Sequence, residues 1–419
     1  MRRTLMHPTL LENDPLRVFA IACCFGLEAE AKAAAEKAVI NNRVSGRTCP
    51  ELGKITAGAY YRLLQLNRTR RSTKLKAFGN VVAVDSAGIG PFCEPPQRTA
   101  ISTRTPLRSA VTPFDAEDAD LVLRSRDSVD FRVYRSILVV ASPTILQKAP
   151  LLEVADTEGD KAAASSSAIH LIPVDSVVLN ALLRMCYPVD HPQLSDLDLL
   201  LDVLFAARNY GMKNAEQAIR ETWHAHIDKA PLRLYLAAAC CDWADEARAC
   251  ANALVQQHDL PSIYSQYLPE METMTNRAYH RLIFFLEARS KAATSPHILT
   301  LGDEYPSRAC NSAFSIADCS IRYPRSFNTS EPPLWCSSCF TSFTAAFRDR
   351  PLASTLALTT EHVKSFMRTA ASSNCTAISQ AKCNAADHVS WACAVLECYA
   401  REVETAVGKV ELEVDGLAT

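Results

Sequence analysis

An internal repeat constrains the fold of this chain more than any other feature of its sequence. Residues 17–40 align with residues 233–256 at a constant offset of 216, and residues 50–70 align with residues 269–289 at an offset of 219. Eight of 24 positions are identical in the first block and eight of 21 in the second, well above the handful expected by chance. The alignment predicts two copies of one helical unit. The change of offset predicts an insertion in the loop between two helices.

Each copy has the pattern of a helix, a loop and a second helix. Around "AIACCFGLEAEAKAAA", charged residues separate small or apolar ones, namely Phe19, Ala22, Cys23, Ala29, Ala33 and Val39. This pattern predicts a closely packed helix whose small residues let a neighbouring element approach. We interpret the doubled cysteines, Cys23–Cys24 and Cys240–Cys241, as small buried hydrophobic residues. Neighbours on a helix point about 100° apart, so Cys23 and Cys24 do not readily share one metal ion.

The overall composition predicts an intracellular protein, cytoplasmic or nuclear or both, that folds over most of its length. Its 419 residues, 48% hydrophobic and 21% charged, favour two or three domains. The net charge of -2 gives no general attraction to nucleic acid. The sequence has no apolar run of membrane-spanning length and no convincing signal peptide, so we expect no membrane partner and mostly reduced thiols among its 16 cysteines.

Residues 71–114 differ from the sequence on either side. They are basic at first and then rich in Pro, Ser and Thr, which predicts a linker of a composition compatible with disorder. A basic run overlaps its start, formed by Arg68, Arg70, Arg71, Lys74 and Lys76. We interpret this run as a solvated linker end; a nuclear-import patch or an RNA contact is the alternative. No aromatic residues interleave with it, as a stacking surface would require.

From residue 115 the pattern of ordered elements returns. "ADLVLRS" and "SVDFRVY" predict two strands of a hairpin, and "IHLIPV" predicts another strand. "SPTILQKAPLL" predicts a helix with Ser142 as its N-cap and Pro143 at its first position. "DSVVLNALLRMCYP" predicts a helix, and the stretch from 194 to 227 predicts two helices separated at "NYGM".

This ordered set of segments resembles the BTB/POZ domain of proteins abundant in mushroom-forming fungi. The resemblance is carried by "ADLVLRS", "FRVYRSILVVASPTIL", "IHLIPVDSVVLNALLRMCYP", "VLFAARNYGMKNAEQAIRETW" and the following "PLRLYLAAACCDWADEARACA", and it covers about residues 115–290. It implies that "SILVVAS" is helical, although Ile and Val favour a strand. Two positions depart from the family pattern: Tyr134 replaces a histidine and Ile145 replaces a phenylalanine.

The predicted fold is therefore mainly helical α+β, with one BTB/POZ-like α/β core, helical segments and a partly irregular C-terminal region. We expect a partial helical segment at 1–70, a linker at 71–114, the BTB/POZ-like domain at 115–228, a helical segment at 229–295 and a Cys-containing region at 296–419. Residues 1–70 resemble the helical segment that comes after a BTB core, yet no such core precedes them. We hypothesise that the chain begins partway through an ancestral unit.

The resemblance implies a non-enzymatic protein that binds other proteins. Many BTB proteins form homodimers and some recruit a cullin-type ubiquitin-ligase scaffold, so the expected partners are proteins, with self-association and an adaptor role both open. The sequence contains no recognisable nucleophile–base pair, so a cysteine hydrolase is the least favoured class. We predict no catalytic residue and no cofactor.

The C-terminal third offers the one alternative. "WCSSC" places Cys336 and Cys339 at a spacing that lets two thiolates hold one zinc ion, but no second such pair accompanies them. A zinc-binding regulatory module is therefore the second hypothesis. The stretch 388–414 has helical periodicity that extends to Val407 and Val410 and predicts one long helix. "HAH" at 224–226 is interpreted as a surface or capping element.

Overall fold

The computed structural model describes residues 2–76, 106–152, 169–295, 345–356 and 400–413. The fold is mainly helical α+β, as predicted. The chain divides into two compact units: residues 97–230 form one, and the residues on either side of them, 1–96 and 231–419, together form the other. We refer to these as the strand unit and the helical unit.

Each copy of the repeat forms the same series of elements within the helical unit. The first copy follows two short helices, α1 (Arg2–Leu5) and α2 (Pro8–Asn13), and consists of α3 (Pro15–Cys24), α4 (Glu28–Ile40), the 3₁₀ helix η1 (Pro50–Lys54) and α5 (Ala57–Lys76). The second copy consists of α11 (Pro231–Cys240), α12 (Ala244–Gln257), α13 (Leu260–Ser265), η3 (Pro269–Glu272) and α14 (Asn276–Thr294). The additional helix α13 lies in the loop where the alignment predicts the insertion.

Local details repeat between the copies as well. The turn between the first two helices contains a left-handed residue in each, Gly26 at φ 63° and Asp242 at φ 56°. Arg17 donates to Glu51 at 2.9 Å in the first copy. At the equivalent positions of the second copy, Arg233 donates to Glu270 at 2.6 Å. The conserved Arg and Glu therefore tie the first helix to the 3₁₀ helix in both copies.

The segment predicted as one closely packed helix is two helices, α3 and α4, separated by a turn at residues 25–27, so this prediction was wrong in its helix count. Ala31, Ala34, Ala35, Ala38 and Val39 are the buried residues of α4. Ala29 is exposed and Ala33 is half-buried.

The doubled cysteines are not uniformly buried. Cys241 is buried, Cys23 and Cys240 are half-buried, and Cys24 is exposed. Cys24 is the last residue of α3, where the chain turns outward through Phe25 and Gly26. The interpretation as buried hydrophobic residues therefore holds for Cys241 and is wrong for Cys24.

The two copies pack against each other around a pseudo-twofold axis. An antiparallel bridge pairs Thr56 with Thr275, which are equivalent residues at the offset of 219. Around it, Ala57 N donates to Met274 O at 3.0 Å, and Asn276 N donates to Ile55 O at 2.8 Å. Each of these hydrogen bonds is the symmetry equivalent of the other. The rings of Tyr60 and Tyr279, also equivalent, meet edge-on with centroids 6.3 Å apart.

A buried ion pair is among the contacts between the copies that have no symmetric counterpart. Arg62 on α5 forms a bidentate pair with Glu272 of η3, at 2.5 and 3.1 Å, and the two side chains are only 9% and 6% exposed. Tyr267 donates to the same carboxylate at 2.9 Å. Burial and this hydrogen bond raise the pKa of Tyr267 to about 12. We call the Arg62–Glu272 pair the lock.

The strand unit contains a mixed five-stranded sheet in the order β1-β3-β2-β5-β4. Its strands are β1 (Arg108–Ser109), β2 (Leu121–Ser125), β3 (Val129–Val133), β4 (Leu151–Leu152) and β5 (Ile169–Ile172). The hairpin of β2 and β3 is antiparallel, while β1 runs parallel to β3 and β5 parallel to β2. Val129, Phe131 and Val133 point into the core, as their alternation predicts.

Helices surround this sheet in the order that the sequence predicts. They are α6 (Arg135–Ala141), α7 (Ile145–Lys148), α8 (Ser176–Cys186), α9 (Leu197–Tyr210) and α10 (Lys213–Thr222), followed by the 3₁₀ helix η2 (Trp223–His226). The break at "NYGM" is Gly211, which adopts φ 67° at the end of α9. This left-handed position favours glycine because it has no Cβ.

The stretch "SILVVAS" is helical, against its β propensity. Asp120 accepts a hydrogen bond from Arg135 N at 2.8 Å at the start of α6, and Leu138 is fully buried. The hydrogen bond satisfies a backbone amide of the first turn that has no partner within the helix, and Leu138 packs into the core. Tertiary contacts therefore override the local preference, as the family resemblance implies.

The next helix, α7, is shorter than predicted. It begins at Ile145, so Ser142 and Pro143 precede it instead of forming its cap and first position. The Ser142 hydroxyl accepts from Ile145 N at 3.1 Å and donates to Tyr210 O at 2.5 Å. Thr144 donates to the same carbonyl at 2.8 Å. The two hydroxyls satisfy the C-terminus of α9, which explains why this segment is irregular.

The predicted linker at 71–114 overlaps ordered structure at both of its ends. The helix α5 continues to Lys76, so the backbone of the basic run is helical. Arg68 lies over the ring of Tyr264, 4.0 Å from its centroid. At the other end, β1 joins the sheet and Phe114 is fully buried, packed against Phe131 and Tyr187. Apolar packing outweighs the Pro- and Thr-rich composition there.

In the C-terminal region, residues 345–349 and 400–408 are helical, and Ala353–Leu356 forms a 3₁₀ turn. The predicted long helix at 388–414 ends too late, because Val410 lies beyond its last helical residue, and 388–399 fall outside the described residues. Val403 and Val407 are buried, as their spacing predicts. Within the described ranges, no helix combines the length and apolar character that crossing a bilayer requires.

Candidate interaction surfaces

The strand unit carries a groove beside its edge strand. The groove has a volume of about 450 Å³ and is bounded by β1, β3 and α8. Val111 and Val177 line it and are 72% and 61% exposed, and Leu107, next to β1, is 60% exposed. Arg108 and Arg184 contribute the charged part of its lining. We call this feature the edge groove.

Hydrogen bonds to Asp127 hold the groove walls in place. Asp127 lies in the hairpin turn between β2 and β3 and accepts from Ser125 Oγ, Ser176 N and Ser176 Oγ, each at 2.7 Å. Burial by itself raises the pKa of Asp127, but the hydrogen bonds from Ser176 and Ser125 outweigh it, so the pKa is lowered overall. The carboxylate therefore joins the start of α8 to the sheet.

The edge strand β1 contributes Arg108 and Ser109 to the lining of the groove. Arg108 N donates to Ser128 O at 3.0 Å and Ala110 N donates to Asp130 O at 2.8 Å. Ser109 lies between them, so strand geometry directs its N–H and C=O away from β3. An edge of this kind can accept another extended segment. The opposite edge of the sheet is β4, where Leu151 is 62% exposed.

A second group of exposed apolar residues lies on α6. Val139 and Val140 are 52% and 86% exposed, while the residue before them, Leu138, is buried. Two of the four Ile, Leu and Val residues in "SILVVAS" are therefore exposed. They are not part of the lining of the edge groove.

The cysteine and metal predictions are only partly covered by the described residues. Cys336 and Cys339 lie outside them. None of the seven cysteines within them forms a disulfide with another described cysteine. Burial raises the pKa of Cys186 to about 11 and also raises that of Cys49, so neither is an activated thiolate. Within the described ranges, no group of three or more His, Cys, Asp or Glu side chains could hold a metal ion.

The "HAH" segment forms the 3₁₀ helix η2 after α10. His224 is exposed and His226 is buried, so the two rings do not share one environment. Burial lowers the pKa of His226, and the nearby Lys229 lowers it further. His224 is therefore at the surface, as predicted, whereas His226 is a buried residue and not the surface or capping residue that was predicted.

Sequence reasoning missed the edge groove because its strand lies in the predicted linker. Leu107, Val111 and Phe114 recur there at intervals of three or four in a Pro-, Ser- and Thr-rich stretch. That spacing has no strand period, so it did not indicate a sheet edge. No family model matches the chain, and no curated protein or solved structure is similar to it.

Proposed function

We propose that this chain is a non-enzymatic protein–protein interaction protein of the BTB/POZ type, and that it associates with itself through the edge groove. The observation that carries the proposal is the pair of largely exposed valines, Val111 and Val177, in a groove that the edge strand β1 helps to line. Exposed apolar side chains around a concave surface are characteristic of sites that bind protein.

A second copy of the chain is the occupant that the sheet favours. The described part of the sheet ends at β1 on one side and β4 on the other, and each edge has an exposed leucine beside it, Leu107 or Leu151. Pairing between edges of two molecules would satisfy outward backbone groups and bury these leucines together. The same molecule thus supplies both halves of such a contact.

The order of elements gives the family assignment its support. A parallel and antiparallel mixed sheet with a helix directly after the β2–β3 hairpin is what the resemblance implies, and "SILVVAS" adopts that helix against its composition. An interaction protein of this class acts inside the cell, in the cytoplasm, the nucleus or both. An adaptor role toward a cullin-type scaffold, and zinc binding by Cys336 and Cys339, remain predictions.

Charge placed in the edge groove is expected to weaken self-association. Replacing Val111 or Val177 with Glu puts a carboxylate into the apolar contact, where losing its hydration opposes burial. We expect the dimer dissociation constant of the full chain to rise at least about tenfold, equivalent to about 1.4 kcal/mol. Sedimentation equilibrium across a wide concentration range measures this constant.

Val140→Glu is the matched control, because Val140 is also a largely exposed valine of the strand unit but lies on α6. It should leave the constant unchanged. A full chain that stays monomeric at high concentration would contradict the proposal. So would a dimer that V111E and V177E leave as tight as the parent, or one that V140E alone disrupts.

A further inference from the structure

The first copy of the repeat covers a defined surface of the second copy. That surface consists of η3, Thr275 and the first turns of α14, and we call it the repeat surface. Copy 1 reaches it with the backbone on both sides of Thr56, with the ring of Tyr60 and with the Arg62 side chain. A segment that is homologous to the surface it covers is an intramolecular version of a homodimer contact.

The contacts divide into symmetric and one-sided ones. The two backbone hydrogen bonds and the tyrosine pair occur on both sides of the pseudo-twofold axis. The lock occurs once, because Gly53 occupies in copy 1 the position that Glu272 occupies in copy 2. The buried amide of Asn276 is also one-sided: it donates to Leu52 O at 3.1 Å, and its equivalent in copy 1 is Ala57.

Only copy 2 carries both halves of the lock. Arg281 is the equivalent of Arg62. Two copies of the repeat surface related by the same axis would therefore form two Arg281–Glu272 pairs, one on each side of the axis. The contact from Asn276 to the backbone of the 3₁₀ helix would likewise be made twice. Two first copies would make neither, since Gly53 and Ala57 carry no polar side chain. Charge complementarity therefore favours pairing of copy 2 with itself over pairing of copy 1 with itself.

We propose that the repeat surface is a self-recognition surface, that copy 1 covers it within the chain, and that the repeat surface of a second molecule binds it when copy 1 is displaced. This contact is separate from the edge groove and involves the helical unit alone. The partner is a second copy of this chain, recognised through the Thr275 backbone, the tyrosine at 279 and two Arg281–Glu272 pairs.

One feature of copy 1 makes it the better occupant. A Cβ atom at Gly58 would lie 2.2 Å from a carboxylate oxygen of Glu272, so the absence of a side chain there admits the lock. The equivalent residue in copy 2 is Arg277, which must move that carboxylate aside before two repeat surfaces can close. The cover within the chain is thus preferred while it is intact, and the partner enters only after its displacement.

Disulfide trapping at the bridge tests the proposal in the full chain. Thr56 and Thr275 form a non-hydrogen-bonded antiparallel pair, whose Cα atoms typically lie about 4.5 Å apart, within disulfide range. We expect T56C/T275C to form a 56–275 disulfide within one chain under mild oxidation. Peptide mass spectrometry identifies the bond among the native cysteines, and a non-reducing gel separates intrachain from interchain products.

Displacement of copy 1 is then tested with a single cysteine. Arg62→Glu places two carboxylates together at the lock, and Gly58→Leu obstructs it sterically. We expect T275C by itself to give no interchain 275–275 disulfide above background. With R62E added, the yield of that disulfide should be at least about tenfold above this background. Where R62E alone leaves the 56–275 bond intact, R62E/G58L takes its place. R248E, which reverses an exposed charge on α12, is the matched control and should have no effect. A V111E background keeps edge-groove association from contributing.

Three results would overturn the proposal. One is an interchain 56–275 bond in the otherwise unchanged protein, which would place copy 1 on another molecule. Another is loss of the 56–275 bond in the displaced variants with no gain in the 275–275 bond. The third is a 56–56 disulfide from T56C in as high a yield as the 275–275 bond, because copy 1 lacks the charges for self-pairing. Failure of the edge-groove prediction changes none of these readouts.

Discussion

Replacing Phe114 with Ala is expected to destabilise the strand unit by about 3–5 kcal/mol, the usual cost of truncating a fully buried phenylalanine. Phe114 is 0% exposed and contacts Phe131 at 5.9 Å and Tyr187 at 5.3 Å between ring centroids. The change leaves a cavity between β3 and the end of α8. Hydrogen–deuterium exchange of peptides from β2 and β3, followed by mass spectrometry, measures the loss of protection in this unit alone.

The effect of this substitution distinguishes a folded segment at residues 106–114 from the linker that the composition predicts. In a linker, Phe114→Ala would have almost no effect on stability. Leu107→Ala supplies the control, since Leu107 lies in the same stretch but is 60% exposed, and its truncation should change protection only slightly. Equal and small effects of both substitutions would show that residues 106–114 do not belong to the core of the strand unit.

Breaking the lock is expected to destabilise the helical unit by about 3–5 kcal/mol. Arg62→Ala leaves the Glu272 carboxylate, whose side chain is 6% exposed, without its charged partner. Removing both charges, as in R62A/E272A, should cost less than the sum of the single changes, because neither partner is then left buried without the other. Urea denaturation of the parent protein, R62A, E272A and R62A/E272A gives the coupling energy between the two side chains directly.

An exposed ion pair in the same chain provides the comparison. Arg126 and Asp175 form a bidentate pair at 3.0 and 2.7 Å, but their side chains are 66% and 50% exposed. Arg126→Ala should therefore cost less than about 1 kcal/mol. If the Arg62 and Arg126 substitutions had similar small effects, burial would not determine the contribution of the lock, and the interface between the copies would be weaker than its geometry indicates.

The sequence was most informative where periodicity was strong. The hairpin of β2 and β3, the helices α8, α9 and α10, and the break at Gly211 all occur where apolar spacing predicts them. The repeat alignment also predicted two equivalent copies and an insertion in the loop that contains α13, but it predicted neither α13 itself nor the division of the first predicted helix of each copy into two. These features depend on local patterns, and a single sequence records such patterns directly.

Features set by distant partners could not be predicted in the same way. The helix α6 depends on Asp120, and the irregular start of α7 depends on the carbonyl of Tyr210. The pairing of the two copies depends on Arg62 and Glu272, which are 210 residues apart. Their charges are visible in the sequence, but nothing local indicates that one faces the other. The edge groove was missed for a related reason, because the Pro-, Ser- and Thr-rich composition around β1 led to its assignment as a linker.

The bridge between Thr56 and Thr275 has a consequence for the synthesis of the protein. The bridge closes a loop of 219 residues, and the whole strand unit lies inside that loop. At typical elongation rates of about 5–20 residues per second, copy 1 leaves the ribosome roughly 10–40 s before copy 2. During that interval copy 1 has no repeat surface of its own chain to cover, while the strand unit is synthesised and can already fold. Because the two copies pack against each other, the helical unit completes its fold only after copy 2 has been synthesised.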